Sequence, residues 1–377
     1  MKLRDFIYKI HLWLGLVSGL VVFFVSITGC ILVFNEDIHQ LFETGVYRSI
    51  ERQNADYLTP VEIEQILHQY HEGPVESMNA TVFYDEKWAT VAWVEGEHHD
   101  YTAYILNPYT GSVIDSFAYG SNFWAVVTQI HVNLGIPVVG KHIVAASTFI
   151  FFILLCTGLV LWFPGRSHSK KRLFKIRLKA SPQQLTYDLH NVVGFYATWI
   201  LIFVVITGLA MSYSWVDKAI YNLAHNEKEG IDVNPENNGQ NLFMQETQDV
   251  DNTFQEIMKR YDHVNEYFVL FPDDSQENYR FYIQTEKGKN YNRNDGYTIN
   301  GKTGKLIRFA LWMDKNNGDV LRAMNLPIHD GSILGFPGKL LAFFASLIAA
   351  SLPVTGFILW LKRRKRRRSL IKMIDVN

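Results

Sequence analysis

Four stretches free of charge decide what this chain can become. Leu12–Phe34, Ile143–Phe163, Asn191–Trp215 and Leu340–Leu361 hold no Asp, Glu, Lys or Arg and run 21 to 25 residues each. At 1.5 Å rise per residue, a helix of that length crosses a hydrocarbon core of about 30 Å. The sequence therefore predicts a four-pass membrane protein. The first run is too long for the apolar region of a signal peptide, and Asn35, Glu36 and Asp37 follow it where a small-residue cleavage site would stand, so it is expected to remain as an anchor.

Charge orients the four helices. The segments around Lys2, Arg4 and Lys9, from Arg166 to Lys179, and from Lys362 to Lys372 carry 18 of the 36 lysines and arginines but only Asp5, Asp188 and Asp375 of the 37 acids. A net charge of -1 thus conceals a strongly polarised molecule. By the positive-inside rule these segments and both termini face the cytoplasm, and the two long acidic segments lie outside. The Arg363 to Arg368 cluster reads as a topology determinant that touches anionic lipid headgroups, not as a nucleic-acid site. Cys30 and Cys156, the two cysteines, fall near opposite ends of their helices and are too far apart to pair. No CxxCH is present, which excludes covalently attached haem.

Repeats set the architecture. His11, Gly15 and Thr28-Gly29 recur as His190, Gly194 and Thr207-Gly208, a constant offset of 179. His131, Gly140-Lys141, Thr157-Gly158 and Trp162 recur as His329, Gly338-Lys339, Thr355-Gly356 and Trp360, an offset of 198. YILNPYTGSVI from Tyr104 aligns with YTINGKTGKLI from Tyr297, each reading as strand, tight turn, strand. The expected fold is a membrane α-helical four-transmembrane-helix bundle from a tandem duplication, with two small α+β periplasmic domains. VEIEQILHQY and TFQEIMKRY supply their helices; WATVAWVEG, DYTAYIL, YFVLF and RFYIQ supply strands. Two helices per copy give both copies one orientation, so the first and third helices run parallel, as do the second and fourth.

Expected boundaries are a first transmembrane helix at 1–35, a first periplasmic domain at 36–125, a juxtamembrane segment with the second helix at 126–165 and a basic cytoplasmic loop at 166–189. The third helix follows at 190–215, the second periplasmic domain at 216–322, a juxtamembrane segment with the fourth helix at 323–361 and a basic tail at 362–377.

Parallel helices give the matched histidines a purpose. His11 and His190 share one depth near the cytoplasmic surface, and His131 and His329 share another near the outer surface. Two pairs of imidazoles without cysteines or clustered carboxylates suit two bis-histidine haem b groups better than zinc, because zinc wants four protein ligands and a porphyrin already supplies four nitrogens. Gly15, Gly19 and Gly194 would leave room for a macrocycle, Trp13, Phe195 and Phe203 would pack on it, and Arg4, Lys9, Lys179, Lys141 and Lys339 would neutralise its propionates. His39 and His142 are spare candidates for the iron. The unmatched His68, His71, His98, His99 and His263 read as surface or satisfied polar groups, His168 and His225 fall near the membrane faces, and the Thr-Gly pairs read as close-packing sites between helices. Trp88, Trp93, Trp124 and Trp312 suit a ligand surface or a core.

The H-x-x-x-G element, its seventeen-residue spacing to Thr-Gly, the NPYTG and NGKTG turns, the second His before Gly-Lys and the TG-x-x-x-W ending in a basic run resemble the PepSY-associated transmembrane proteins. These include the iron-regulated inner-membrane siderophore reductases of Gram-negative bacteria, and the likeness covers nearly the whole chain. The resemblance implies PepSY-like outer domains, His11, His190, His131 and His329 as haem ligands, and transmembrane electron transfer to a periplasmic ferric siderophore. The chain carries no flavin- or dinucleotide-binding segment, so a cytoplasmic flavoprotein or the quinol pool would be the electron donor. A membrane-anchored PepSY module that binds or regulates a periplasmic peptidase is the alternative function. A transporter fits less well, because no charged residue lies inside a span.

Overall fold

The computed structural model describes residues 3–374, apart from 52, 85–86, 98–99, 121, 164–173, 226–248, 274–275 and 286–292. His98, His99, His168 and the first third of the basic loop therefore lie outside the described residues, as do the side chains beyond Lys365. In chain order the elements are α1 (Leu3–Leu32), α2 (Asn35–Phe42), α3 (Pro60–Tyr70), β1 (Val75–Phe83), β2 (Thr90–Gly96), β3 (Tyr101–Leu106), β4 (Val113–Ala118), α4 (Phe123–Asn133) and α5 (Val139–Trp162). There follow α6 (Pro182–Asp188), α7 (Gly194–Ser212), α8 (Ser214–Ala224), α9 (Val250–Met258), β5 (Glu266–Leu270), β6 (Asn278–Gln284), β7 (Asn294–Asn300), β8 (Leu306–Ala310), α10 (Asn317–Ala323), α11 (Asn325–Asp330) and α12 (Gly335–Ile374). They form two compact units, one from 1–34, 126–220 and 325–377, the other from 35–125 and 221–324.

The first unit is helical. Among the described residues four helical stretches are long and apolar enough to cross a membrane: Leu3–Phe42, Val139–Trp162, Pro182–Ser212 and Ser332–Lys365. Their mutual contacts use Val22 of α1, Phe151 and Leu155 of α5, Ala197, Leu201 and Val205 of α7, and Ala345 and Ala349 of α12. Small side chains let helix backbones approach where no water drives them together. On α1 the opposite stripe, Trp13, Val17, Leu20 and Phe24, is exposed at helical spacing, the arrangement a lipid-facing surface requires.

The second unit is a single antiparallel sheet of eight strands in the order β4-β3-β2-β1-β5-β6-β7-β8. The two outer segments therefore share one sheet and are not two separate modules. They join where β1 pairs with β5, at Asn79 with Leu270, Thr81 with Phe268 and Phe83 with Glu266. Burial alternates along these strands, as a two-faced sheet demands. One face packs Met78, Ala80, Val82, Tyr267, Val269 and Phe281 against Ile63 and Leu67 of α3 and Phe254 and Ile257 of α9 in one continuous core. A capping box between Thr59 and Glu62 starts α3.

The two N-x-x-T-G turns have the same construction. Asn107 Oδ1 accepts from the Tyr109 and Thr110 amides, Asn300 Oδ1 from those of Lys302 and Thr303. The chain then turns through Gly111 at φ +71° and Gly304 at φ +65°, a region that disfavours side chains with a Cβ.

Candidate functional site

The helical unit brings the four matched histidines together in two couples. His11, near the start of α1, stands beside His190, with ring centres 6.5 Å apart and planes at 90°. His131, on the last turns of α4, stands beside His329 of α11, with centres 6.2 Å apart and planes at 71°. The first couple is level with the start of α1. The second is level with Val25 and Thr28, 14 to 17 residues further along the same helix, which is about 21–26 Å at helical rise.

Local structure aims each ring. His190 sits in one π-helical stretch, Leu189–Val193, between α6 and α7. Such a stretch rotates the side chains that follow it and commonly marks a functional position. It is anchored from behind by buried Asp188, which receives two hydrogen bonds from the Arg177 side chain, at 2.9 and 2.8 Å, and one from Gln184. His131 and His329 are each followed by a sharp reversal into the next membrane helix. There, a Cβ on Gly140 would lie 1.7 Å from the Asn133 carbonyl oxygen, and one on Gly338 would lie 2.0 Å from that of Gly331. The glycine of each Gly-Lys motif is thus required by backbone approach. Lys141 and Lys339 occupy the first turns of α5 and α12.

The Thr-Gly pairs hold the histidines, a role beyond the helix packing expected for them. Nδ1 of His11 lies 2.9 Å from Thr157 Oγ1, and Nδ1 of His190 lies 2.9 Å from Thr355 Oγ1. Nδ1 of His131 lies 2.9 Å from the Val25 carbonyl and 3.1 Å from Thr28 Oγ1; His329 repeats this with Val204 and Thr207. The neighbouring glycines give the rings their space. A Cβ on Gly29, Gly158, Gly208 or Gly356 would lie 3.2–3.5 Å from Cε1 of His131, His11, His329 or His190 respectively. The residue signal was present in the sequence as the repeated Thr-Gly, but its partners lie on other helices.

These couples fit an iron porphyrin. A metal about 2.0–2.1 Å from each Nε2, with about 1.1 Å from nitrogen to ring centre, sets the centres about 6.3 Å apart, and both couples lie within about 0.2 Å of that. Among the described residues no three or more His, Cys, Asp or Glu gather as a metal site. A cavity of about 820 Å³ surrounds the first couple, within the range of cofactor sites. Gly15 lines it, with only Leu154 within 4 Å of an added Cβ, whereas Gly19 and Gly194 also line it but press against Pro353 and Leu352 of α12.

Some expected lining residues are elsewhere. Phe195 faces the cavity and stacks on Trp162 at 3.8 Å, but Trp13 and Phe203 are 61% and 59% exposed on the outward surface. Of the cations expected near the first couple, Arg4 lines the cavity and Lys9 and Lys179 do not; Arg363 lines it too, bonding to the Tyr8 hydroxyl. Trp162 contributes a buried indole N–H that has no hydrogen-bond partner among the described residues beside this cavity.

His39 bonds to Thr44 and leans on Trp124, and His142 is exposed on α5. In the sheet unit His71 bonds to the Tyr104 hydroxyl and His263 to Asn265, while His68 is exposed. Trp88 and Trp93 pack on Tyr47 and Phe117, and Trp312 is flanked by Lys315 and Arg293. Cys30 and Cys156 are both free thiols.

Comparison with curated proteins gives no match. The family described as the PepSY-associated TM region matches residues 8–363, nearly the full length of the sequence, and the chain belongs to that family.

Proposed function

We propose that this protein is a di-haem b reductase of a bacterial inner membrane, built by tandem duplication, that passes electrons from the cytoplasmic side to a periplasmic ferric siderophore and releases Fe(II). The observation that carries the reading is the pair of histidine couples, with ring centres 6.5 and 6.2 Å apart, at two levels of α1. The charge distribution supports a cytoplasmic location for both termini and a periplasmic location for the sheet unit.

Haem bound at these positions would supply reversible one-electron carriage. His11 with His190 and His131 with His329 would hold the iron, with each Nδ1 engaged by its threonine or carbonyl and each Nε2 left for the metal. Gly15 leaves open space beside the first couple, while Arg4 and Arg363 offer cationic partners to acidic groups at that end. The two levels, about 21–26 Å apart along α1, divide most of a 30 Å hydrocarbon core between them. Siderophore oxygens prefer hard Fe(III) and hold softer Fe(II) weakly, so one electron delivered outside is enough to free the metal. The donor would be a cytoplasmic flavoprotein or quinol, and the basic tail would rest on anionic lipid.

The test is an absorbance spectrum and pyridine haemochrome assay of detergent-purified protein, then oriented proteoliposomes with reduced haem given ferric siderophore on the sheet-unit side. About two low-spin haems per chain, and reoxidation coupled to trapped Fe(II), are expected. Less than one haem per chain, or reoxidation without Fe(II), overturns the reading and favours peptidase binding by the sheet unit.

A further inference from the structure

The four threonines beside the histidines have their hydrogens committed. Thr28 donates to the Phe24 carbonyl at 2.8 Å, Thr157 to Ile153 at 2.8 Å, Thr207 to Phe203 at 2.8 Å and Thr355 to Ser351 at 2.9 Å. An oxygen whose hydrogen points down its own helix has only lone pairs to offer a neighbour. The carbonyls of Val25 and Val204 likewise only accept. Every Nδ1 in the two couples therefore meets acceptors alone, and the proton of each neutral imidazole must reside there. Nε2 is then the nitrogen with the free lone pair.

We propose that Thr28, Thr157, Thr207 and Thr355 are positioning residues that fix the Nε2-binding tautomer of His131, His11, His329 and His190 and tune the reduction potential of the metal held there. This rests on the bis-histidine haem reading. The arrangement occurs four times with the same atoms, twice at each level, and in every case the threonine comes from a different helix than the ring it holds. An acceptor on Nδ1–H makes the imidazole a stronger donor, which favours the ferric state and lowers the potential.

The two levels differ in a way that can be measured. His11 and His190 bond to threonine oxygen at 2.9 Å, whereas His131 and His329 bond to a carbonyl at 2.9 Å with the threonine further off at 3.1 Å. Removing a hydroxyl thus takes the 2.9 Å bond from the first couple, where the Leu154 and Leu352 carbonyls remain as backbone acceptors, and leaves the shorter bond of the second intact.

The experiment is a spectroelectrochemical titration of the haem-loaded full chain carrying Thr157→Val, Thr157→Ser or Thr28→Val. Thr157→Val is expected to raise one potential by about a tenfold change in the reduction equilibrium, about 59 mV for one electron. Thr157→Ser should restore the wild-type value, and Thr28→Val should move the other potential by less. Nitrogen-15 NMR of histidine-labelled, haem-free protein reads the tautomer directly, with Nδ1–H expected in the wild type and a mixture at His11 in Thr157→Val. Valine variants with two haems at unchanged potentials, a serine variant that behaves as valine, or an unaltered tautomer would each overturn this assignment alone. A wild type that takes up no haem removes the underlying reading as well.

Discussion

Gly140→Ala places a methyl group where the reversal between α4 and α5 has no room. A carbon approaches a carbonyl oxygen no nearer than about 3.3 Å, and the new Cβ would lie 1.7 Å from Asn133 oxygen, so the backbone must yield by about 1.6 Å. Both partners are main chain, and no flexible side chain can absorb the overlap. Overpacking of this kind costs about 1–3 kcal/mol, and a backbone-on-backbone clash belongs at the upper end. Helix propensity alone would favour alanine by about 1 kcal/mol, so the sign of the change separates the two arguments. His131 lies two residues before Asn133, and metal–ligand distances tolerate only about 0.2 Å, so the second couple should lose its six-coordinate geometry while the first keeps it. The assay is a thermal melt in detergent alongside low-temperature EPR. A Tm lower by roughly 5–10 °C is expected from a unit of this size, with one of two low-spin signals converted to high spin. Gly296→Ala on β7, whose Cβ would have its nearest neighbour at 3.9 Å, is the control. A Gly140→Ala protein that melts within a degree of wild type, with both signals intact, would refute the reasoning.

Other expectations follow from the same geometry. His11→Ala and His190→Ala should each remove one haem signature, and His131→Ala and His329→Ala the other; resonance Raman of the four variants decides the pairing, and loss of a signature in His39→Ala or His142→Ala would break it. Asp188→Asn should loosen the π-helical stretch under His190 and lower occupancy at the first couple alone, as read by haem per chain. In the sheet unit, burial pushes the Glu64 carboxyl above its usual value although it accepts from the Tyr279 hydroxyl. A raised folded-state value means stability that is present below the unfolded value and lost as pH rises through the folded one. Glu64→Gln should therefore raise the Tm of the full-length protein at pH 7 and give no gain at pH 4; an equal gain at both would count against burial as the cause.

How much of this was legible depends on how local the information is. WATVAWVEG, YFVLF and RFYIQ are rich in β-branched and aromatic residues, and they supply β2, β5 and β6; the Thr-Gly turns declared themselves because Asn and Gly have few other uses at that spacing. The equal offsets that aligned the histidines were likewise visible, since depth along a helix follows from residue count. Pairing partners were not. Nothing within β1 says that its neighbour will be β5, nearly two hundred residues on, so the outer segments looked like two modules where there is one sheet. The hold of the Thr-Gly pairs on the rings was hidden for a related reason, because those contacts cross between helices. The orientation of Trp13 and Phe203 depends on helix rotation, which apolar spans facing both lipid and core do not encode in their composition.

The holding bonds and the couples divide the chain differently. His11 is held by Thr157 and His131 by Thr28, all before residue 164, while His190 is held by Thr355 and His329 by Thr207, all after residue 173. Each couple takes one ring from either side of that gap. A chain severed between residues 163 and 174 would keep every tether intact, while the facing rings, the β1–β5 pairing and the packing of α1 and α5 on α7 and α12 would have to form between the two pieces. Two such fragments made in the same cell would each carry two tethered rings, and cofactor capture would require that they reassemble. Neither fragment alone offers an iron more than one axial nitrogen at a level, so uptake of the pigment would report complementation directly, by colour.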